Sequence, residues 1–121
     1  MYYGAWFSSN THLHLKTDVS WGSTTQMYAL HFEGHAYNDS KIIDAGLAFY
    51  NYATNGYPVN IGSTGTHSST IYESSDGKIV IVITVSTYYQ TLIVNQLRTA
   101  QGLALLSITG STASNSSSGV Y

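Results

Sequence analysis

The chain has 121 residues, of which 8% are charged, a formal net charge of −2, and no cysteine. That length suits one domain, with a single core covering roughly two-thirds of the unfolded surface. The lack of thiols excludes disulfides, thiolate metal sites and cysteine nucleophiles, and only four Lys and Arg residues leave no cationic footprint for a phosphate backbone or an anionic membrane.

Serine, threonine and 11 tyrosines make a hydroxylated surface rather than an ionic one. The longest apolar run, IVIVITV, is far too short to span a bilayer, and MYYGAWFSSN lacks the basic region and long apolar stretch of a classical secretion signal. The reading is a soluble chain with no nucleic-acid partner and no membrane insertion.

Along the chain, period-2 alternation and turn residues dominate, and no stretch combines a 3.6-residue repeat with helix caps. The predicted strands are Tyr2–Ser8, Thr11–Thr17, Gln26–Tyr37, Lys41–Tyr52, Ser68–Tyr72, Lys78–Ser86, Tyr88–Leu97 and Leu103–Thr109. In the second of them His12, His14 and Lys16 share one face, and Leu13 and Leu15 share the other. A reversal of DVSWGSTTQ about Gly22–Ser23 predicts a hairpin with His14 opposite His31 and His12 opposite Glu33. Trp21 at that turn is expected to fold back over the sheet end.

NDS predicts the next turn, ATNGYPVNIGSTG a long loop, and SSDG a tight reversal at Asp76–Gly77. The run IVIVITV is apolar except at Thr84, so its strand needs cover on both faces, either inside a sandwich or against a neighbouring subunit. Residues 1–110 form a single domain on this reading. Residues 111–121, within GSTASNSSSGVY, form a Ser/Gly-rich tail whose composition favours flexibility and whose last residues are apolar enough to dock. About eight strands with short turns predict an all-β, jelly-roll-like antiparallel sandwich.

The sharpest chemical pattern is LHFEGHAY, which sets His31, Glu33 and His35 on one strand face. Two imidazoles at this spacing can approach one zinc, with Glu33 completing the shell. Strand alternation alone accounts for the same pattern as a solvated face, and that reading is favoured. No His-Glu-x-x-His helix, Gly-x-Ser-x-Gly elbow, phosphate-cradling loop or paired-acid motif occurs. Neither an enzyme nor a cofactor is expected. The recognition candidates lie in FYNYATNGYPVNIGSTGTH, where Tyr50, Asn51, Tyr52, Asn55, Tyr57 and His67 offer flat apolar rings and amide donors and acceptors suited to sugars or protein epitopes.

From LHLKTDVSWGSTTQMYALHFEGHAYNDSKIIDAGLAFYNY through YESSDGKIVIVITVSTYYQTLIVNQL, the ordering resembles the C-terminal head or tip domains of bacteriophage and marine-virus virion appendages, including fibre and decoration proteins. The resembling elements are a long first hairpin ending in Phe32, Gly34 and Tyr37, an aromatic strand near Phe49–Tyr52, and SSDGK feeding a β-rich run and TYYQTL. The resemblance spans roughly residues 11–98. It implies a jelly-roll-like domain, commonly trimeric, displayed on a virion among other virion proteins and used for host adhesion or for securing the capsid.

The expected function is thus a non-enzymatic virion structural protein: a phage appendage head, fibre or decoration domain with host-surface glycan or protein binding at the long loop. A freestanding lectin-like carbohydrate-binding module and a small metal-dependent jelly-roll enzyme are the alternatives.

Overall fold

Alternating apolar residues give strands here because each strand buries one row of side chains and leaves the next row outside. The computed structural model describes residues 11–36, 41–85, 90–96 and 105–121, and the backbone of 2–7. Among these residues nine strands form: β1 (Tyr2–Phe7), β2 (His12–Ser20), β3 (Gln26–Ala36), β4 (Lys41–Tyr52), β5 (Tyr57–Gly65), β6 (Ser69–Glu73), β7 (Lys78–Thr84), β8 (Gln90–Gln96) and β9 (Ile108–Ser114). They form a five-stranded sheet ordered β1-β8-β3-β4-β5 and a four-stranded sheet ordered β6-β7-β2-β9. All pairings among the described residues are antiparallel. The nested pairs β1 with β8 and β2 with β7 give the sandwich its jelly-roll character.

The core lies between the sheets. Tyr28, Leu30 and Phe32 of β3 and Ile43, Ala45, Leu47 and Phe49 of β4 meet Leu13 and Leu15 of β2 and Ile79, Ile81 and Ile83 of β7. Each fully buried aliphatic or aromatic side chain contributes about 1.5–3 kcal/mol. Trp21 packs against this cluster from the rim, as its position at a turn suggested.

The predicted β2–β3 hairpin does not form. His14 lies opposite Val82 of β7 and Thr112 of β9, while His31 lies opposite Gly46 of β4 and Asn95 of β8. The connection 21–25 crosses from one sheet to the other, so β2 and β3 face each other across the core. Both arrangements place Leu13 and Leu15 near Leu30 and Phe32, which is why alternation alone supported the wrong pairing. At the crossing Gly22 has φ +62°, and a Cβ there would collide with the Gly56 carbonyl and the Tyr57 backbone nitrogen. Only glycine allows both this conformation and this approach.

Strand β5 occupies most of the predicted long loop. It needs no apolar alternation because, at the sheet edge, its stability comes from backbone pairing to β4, interrupted by one bulge at Asn60, which has φ +53°. Strand β9 begins later than predicted and runs through the proposed boundary at residue 110, so part of the Ser/Thr/Gly stretch is an edge strand on β2.

The rest of that tail is seated on the outer face of the four-stranded sheet. The Ser116 carbonyl accepts from His14, the Tyr121 hydroxyl bonds Thr112, the Tyr121 N–H donates to the Tyr72 hydroxyl, and Lys16 lies over the Tyr121 ring. Val80 and Val82, 0% and 2% exposed, point to this same face. The second cover that IVIVITV called for is therefore the chain's own tail, and His14 is buried rather than solvated.

Beside it Lys16 pairs with Asp76 at 2.8 Å and, with Ser74, holds the Asp76 carboxyl down at about 2. A depressed carboxyl stabilises the fold above its ordinary pKa, and that contribution is lost as pH falls through the folded value. Asp76→Asn is expected to flatten the urea-midpoint profile between about pH 4 and pH 2 and to leave its shape at neutral pH unchanged.

Candidate functional site

The pairing of β3, β4 and β5 brings the two sequence candidates, the histidine face and the tyrosine cluster, onto one surface. On the outer side of the five-stranded sheet, successive rows are Tyr52 with Tyr57, Met27 with Tyr50 and Val59, Ala29 with Ala48 and Gly62, Asn95 with His31, Gly46 and Thr64, and Ile93 with Glu33 and Asp44. The middle rows carry small side chains, so they form a shallow trough of about 360 Å³ floored by Ala29, Gly46, Ala48, Gly62 and Thr64.

The rows next to the trough at one end are aromatic. Tyr50 and Tyr52, two residues apart on β4 and both half-buried, stack at 4.9 Å with their planes 19° apart. Tyr57, 53% exposed, stands opposite Tyr52.

The rows at the other end are polar. His31 Nε2 lies 2.6 Å from Asp44 Oδ1, and His31 Nδ1 lies 3.1 Å from Glu33 Oε1. Both carboxylates are more than half exposed, so each keeps oxygens open to solvent while the imidazole fixes its position. A second depression, about 330 Å³, opens around His31, Glu33, Ile42 and Asp44. With both ring nitrogens of His31 occupied by carboxylates, the Glu33 and His31 side chains serve each other. Among the described residues no group of three or more His, Asp or Glu is arranged to hold a metal ion, and His35 is simply exposed.

The remaining candidates separate. Asn51 is fully buried and turned inward: its Oδ1 accepts the Gly22 N–H at 2.6 Å, and its Nδ2 donates to the Ser20 carbonyl at 2.9 Å and to Thr24 Oγ1 at 2.7 Å. It is a structural clasp and not a ligand contact. Its parity with Ile43, Ala45, Leu47 and Phe49 on β4 was the available signal. Asn55 is exposed in the β4–β5 turn, near the tyrosines. His67, bonded to Thr66, lies beyond the other end of β5, roughly 26 Å of strand away from Tyr57. Since Thr66 Oγ1 accepts the Asp44 N–H, His67 belongs to the polar end of the face.

Asp44 and the small-residue floor were not among the sequence candidates. The signal for Asp44 was the predicted NDS turn, because a short connection between β3 and β4 would set Asp44 near Glu33, and the two strands do pair with Glu33 opposite Asp44. No family model, no curated protein and no solved structure matches this chain.

Proposed function

We propose that this chain is a non-enzymatic virion structural protein, a phage appendage head or decoration domain, that binds a host-surface glycan on the outer face of its five-stranded sheet. The observation that carries the binding is the stacked Tyr50–Tyr52 pair beside a small-residue trough, with the Glu33 and Asp44 carboxylates on the far side. A pyranose presents an apolar C–H face to an aromatic ring and hydroxyl hydrogens to fixed acceptors, and this surface supplies both on one sheet face. The virion setting rests on the sequence resemblance, with which the jelly-roll strand order is compatible.

The test is a glycan-array screen followed by titration of the best hit. Each aromatic contact contributes about 0.5–1.5 kcal/mol, so Tyr50→Ala with Tyr52→Ala is expected to weaken binding about tenfold or more at a temperature where the variant is still folded. Unaltered affinity in that double variant would remove the site, and an array with no hits would remove the glycan. Light scattering addresses the setting, since a trimer is expected of an appendage head.

One observation favours the freestanding lectin-like module as a second reading. The outer row of β7, which in the sequence argued for a neighbouring subunit, is covered by the tail of the same chain. A monomer that binds glycan through Tyr50 and Tyr52 would make that reading the better one.

A further inference from the structure

His14 is the only histidine among the described residues that is fully buried, and both of its ring nitrogens are committed. Nε2 lies 2.7 Å from the Ser116 carbonyl oxygen, which only accepts, so the ring proton sits on Nε2. Nδ1, 2.9 Å from the Tyr72 hydroxyl, then accepts from it, and the same hydroxyl oxygen accepts the Tyr121 N–H at 3.3 Å. The hydrogen bonds run in one direction, from Tyr121 through Tyr72 to His14 and on to Ser116. They close the tail onto the sheet at two points, and the link between them, from the Tyr72 hydroxyl to His14 Nδ1, needs a neutral imidazole.

We propose that residues 115–121 are a pH-released strap, held over the outer face of the four-stranded sheet by neutral His14 and freed when that imidazole takes up a proton. Protonation gives Nδ1 a hydrogen that faces the Tyr72 oxygen. The Tyr72 hydroxyl loses its acceptor, and its oxygen is already engaged by Tyr121. The new charge also has poor company. On β2 the neighbours are His12, its ring centroid 6.5 Å away, and Lys16, both of which add positive charge when protonated. Strand β6 contributes Tyr72, β7 contributes Val80 and Val82, and β9 contributes Thr112. From the tail come the Tyr121 phenol and its backbone oxygen, which accepts the Ser75 N–H. The Asp76 carboxylate in the β6–β7 turn is held by Lys16.

Burial holds the His14 imidazole below its ordinary value of 6.5, the Ser116 carbonyl opposes this, and His12 adds to it. A histidine with a depressed folded pKa stabilises the closed strap fully above about pH 6.5, and that contribution is lost as pH falls below it. Opening uncovers Val80 and Val82, so the strap also governs whether an apolar row of β7 meets solvent.

Amide hydrogen exchange of the native chain at pH 7.5 and pH 5, corrected for the intrinsic pH dependence of exchange, tests the strap. Protection across 115–121 is expected to fall severalfold at pH 5, toward a ceiling of about thirtyfold set by a freely titrating histidine, while β3 and β4 are unchanged. His14→Gln keeps a neutral donor and acceptor, and its tail protection is expected to be the same at both pH values. Constant protection in the native chain, or an equal fall in the Gln variant, would overturn the proposal. Should the variant not fold, NMR titration of the native imidazole decides: tail amides that shift together with His14 support the strap, and tail amides that do not follow it rule the strap out.

Discussion

Phe32→Ala is expected to destabilise the protein by about 3–5 kcal/mol, lowering the urea midpoint by about 2 M. Phe32 is 0% exposed in the middle of β3, between Ala45 of β4 and Val94 of β8 in the same cross-strand row. Its neighbours in that row are smaller, so neither Ala45 nor Val94 can reach far into the cavity its loss would leave between the sheets. A typical domain has about 5–15 kcal/mol of total stability, so this variant would stand near the edge of folding. The comparison is Ile42→Ala on the outer face of β4, where the side chain is 72% exposed and the expected change is within about 0.5 kcal/mol. Equal effects from the two substitutions would mean that the inner and outer rows are wrongly assigned.

Which rows face inward was legible in the sequence; which strands pair was not. Leu13 and Leu15, Tyr28 to Phe32, and Ile79 to Ile83 announced their faces by alternation or by unbroken apolarity, and SSDG is where a reversal occurs, while NDS lies outside the described residues. Pairing is a non-local property. Leu13 beside Leu30 in one sheet and Leu13 across the core from Leu30 satisfy the same burial pattern, so the β2–β3 connection read as a hairpin when it is a crossover. Strand β5 went unseen because YPVNIGSTG spends its residues on an edge, where Gly62, Ser63 and Thr64 need only offer backbone to β4.

The candidate site was legible in pieces. Tyr50, Tyr52 and Tyr57 were picked for their rings, and His31 and Glu33 for their spacing; that both sets flank one trough required the β3–β4–β5 register. The burial of His14 was hidden for a different reason. Its face is solvated in the sequence pattern and dry in the fold because a Ser/Gly-rich segment, whose composition predicts mobility, is tied down by backbone groups of Ser116 and Tyr121. Composition records side chains, and these contacts are made largely by the main chain.

Asn51→Leu tests how the recognition face is held. Leucine keeps the volume and removes one acceptor and two donors, leaving the buried Gly22 N–H and the Ser20 carbonyl without their partner. Each orphaned buried group costs about 1–3 kcal/mol, so the loss is expected at about 2–5 kcal/mol, or roughly 10 °C in melting temperature by calorimetry. The cost exceeds that of an ordinary polar substitution because Asn51 joins three parts of the fold: the end of β2 at Ser20, the crossing at Gly22 and Thr24, and β4 itself. Tyr50 and Tyr52 flank Asn51 on β4, so freeing the crossing loosens the strand end that carries the aromatic stack. Glycan affinity is therefore expected to fall in Asn51→Leu although the side chain touches no ligand, with the loss appearing mainly as faster dissociation. A variant that melts earlier yet binds as tightly would show that β5 pairing alone fixes the tyrosines, and one whose stability is unchanged would refute the clasp.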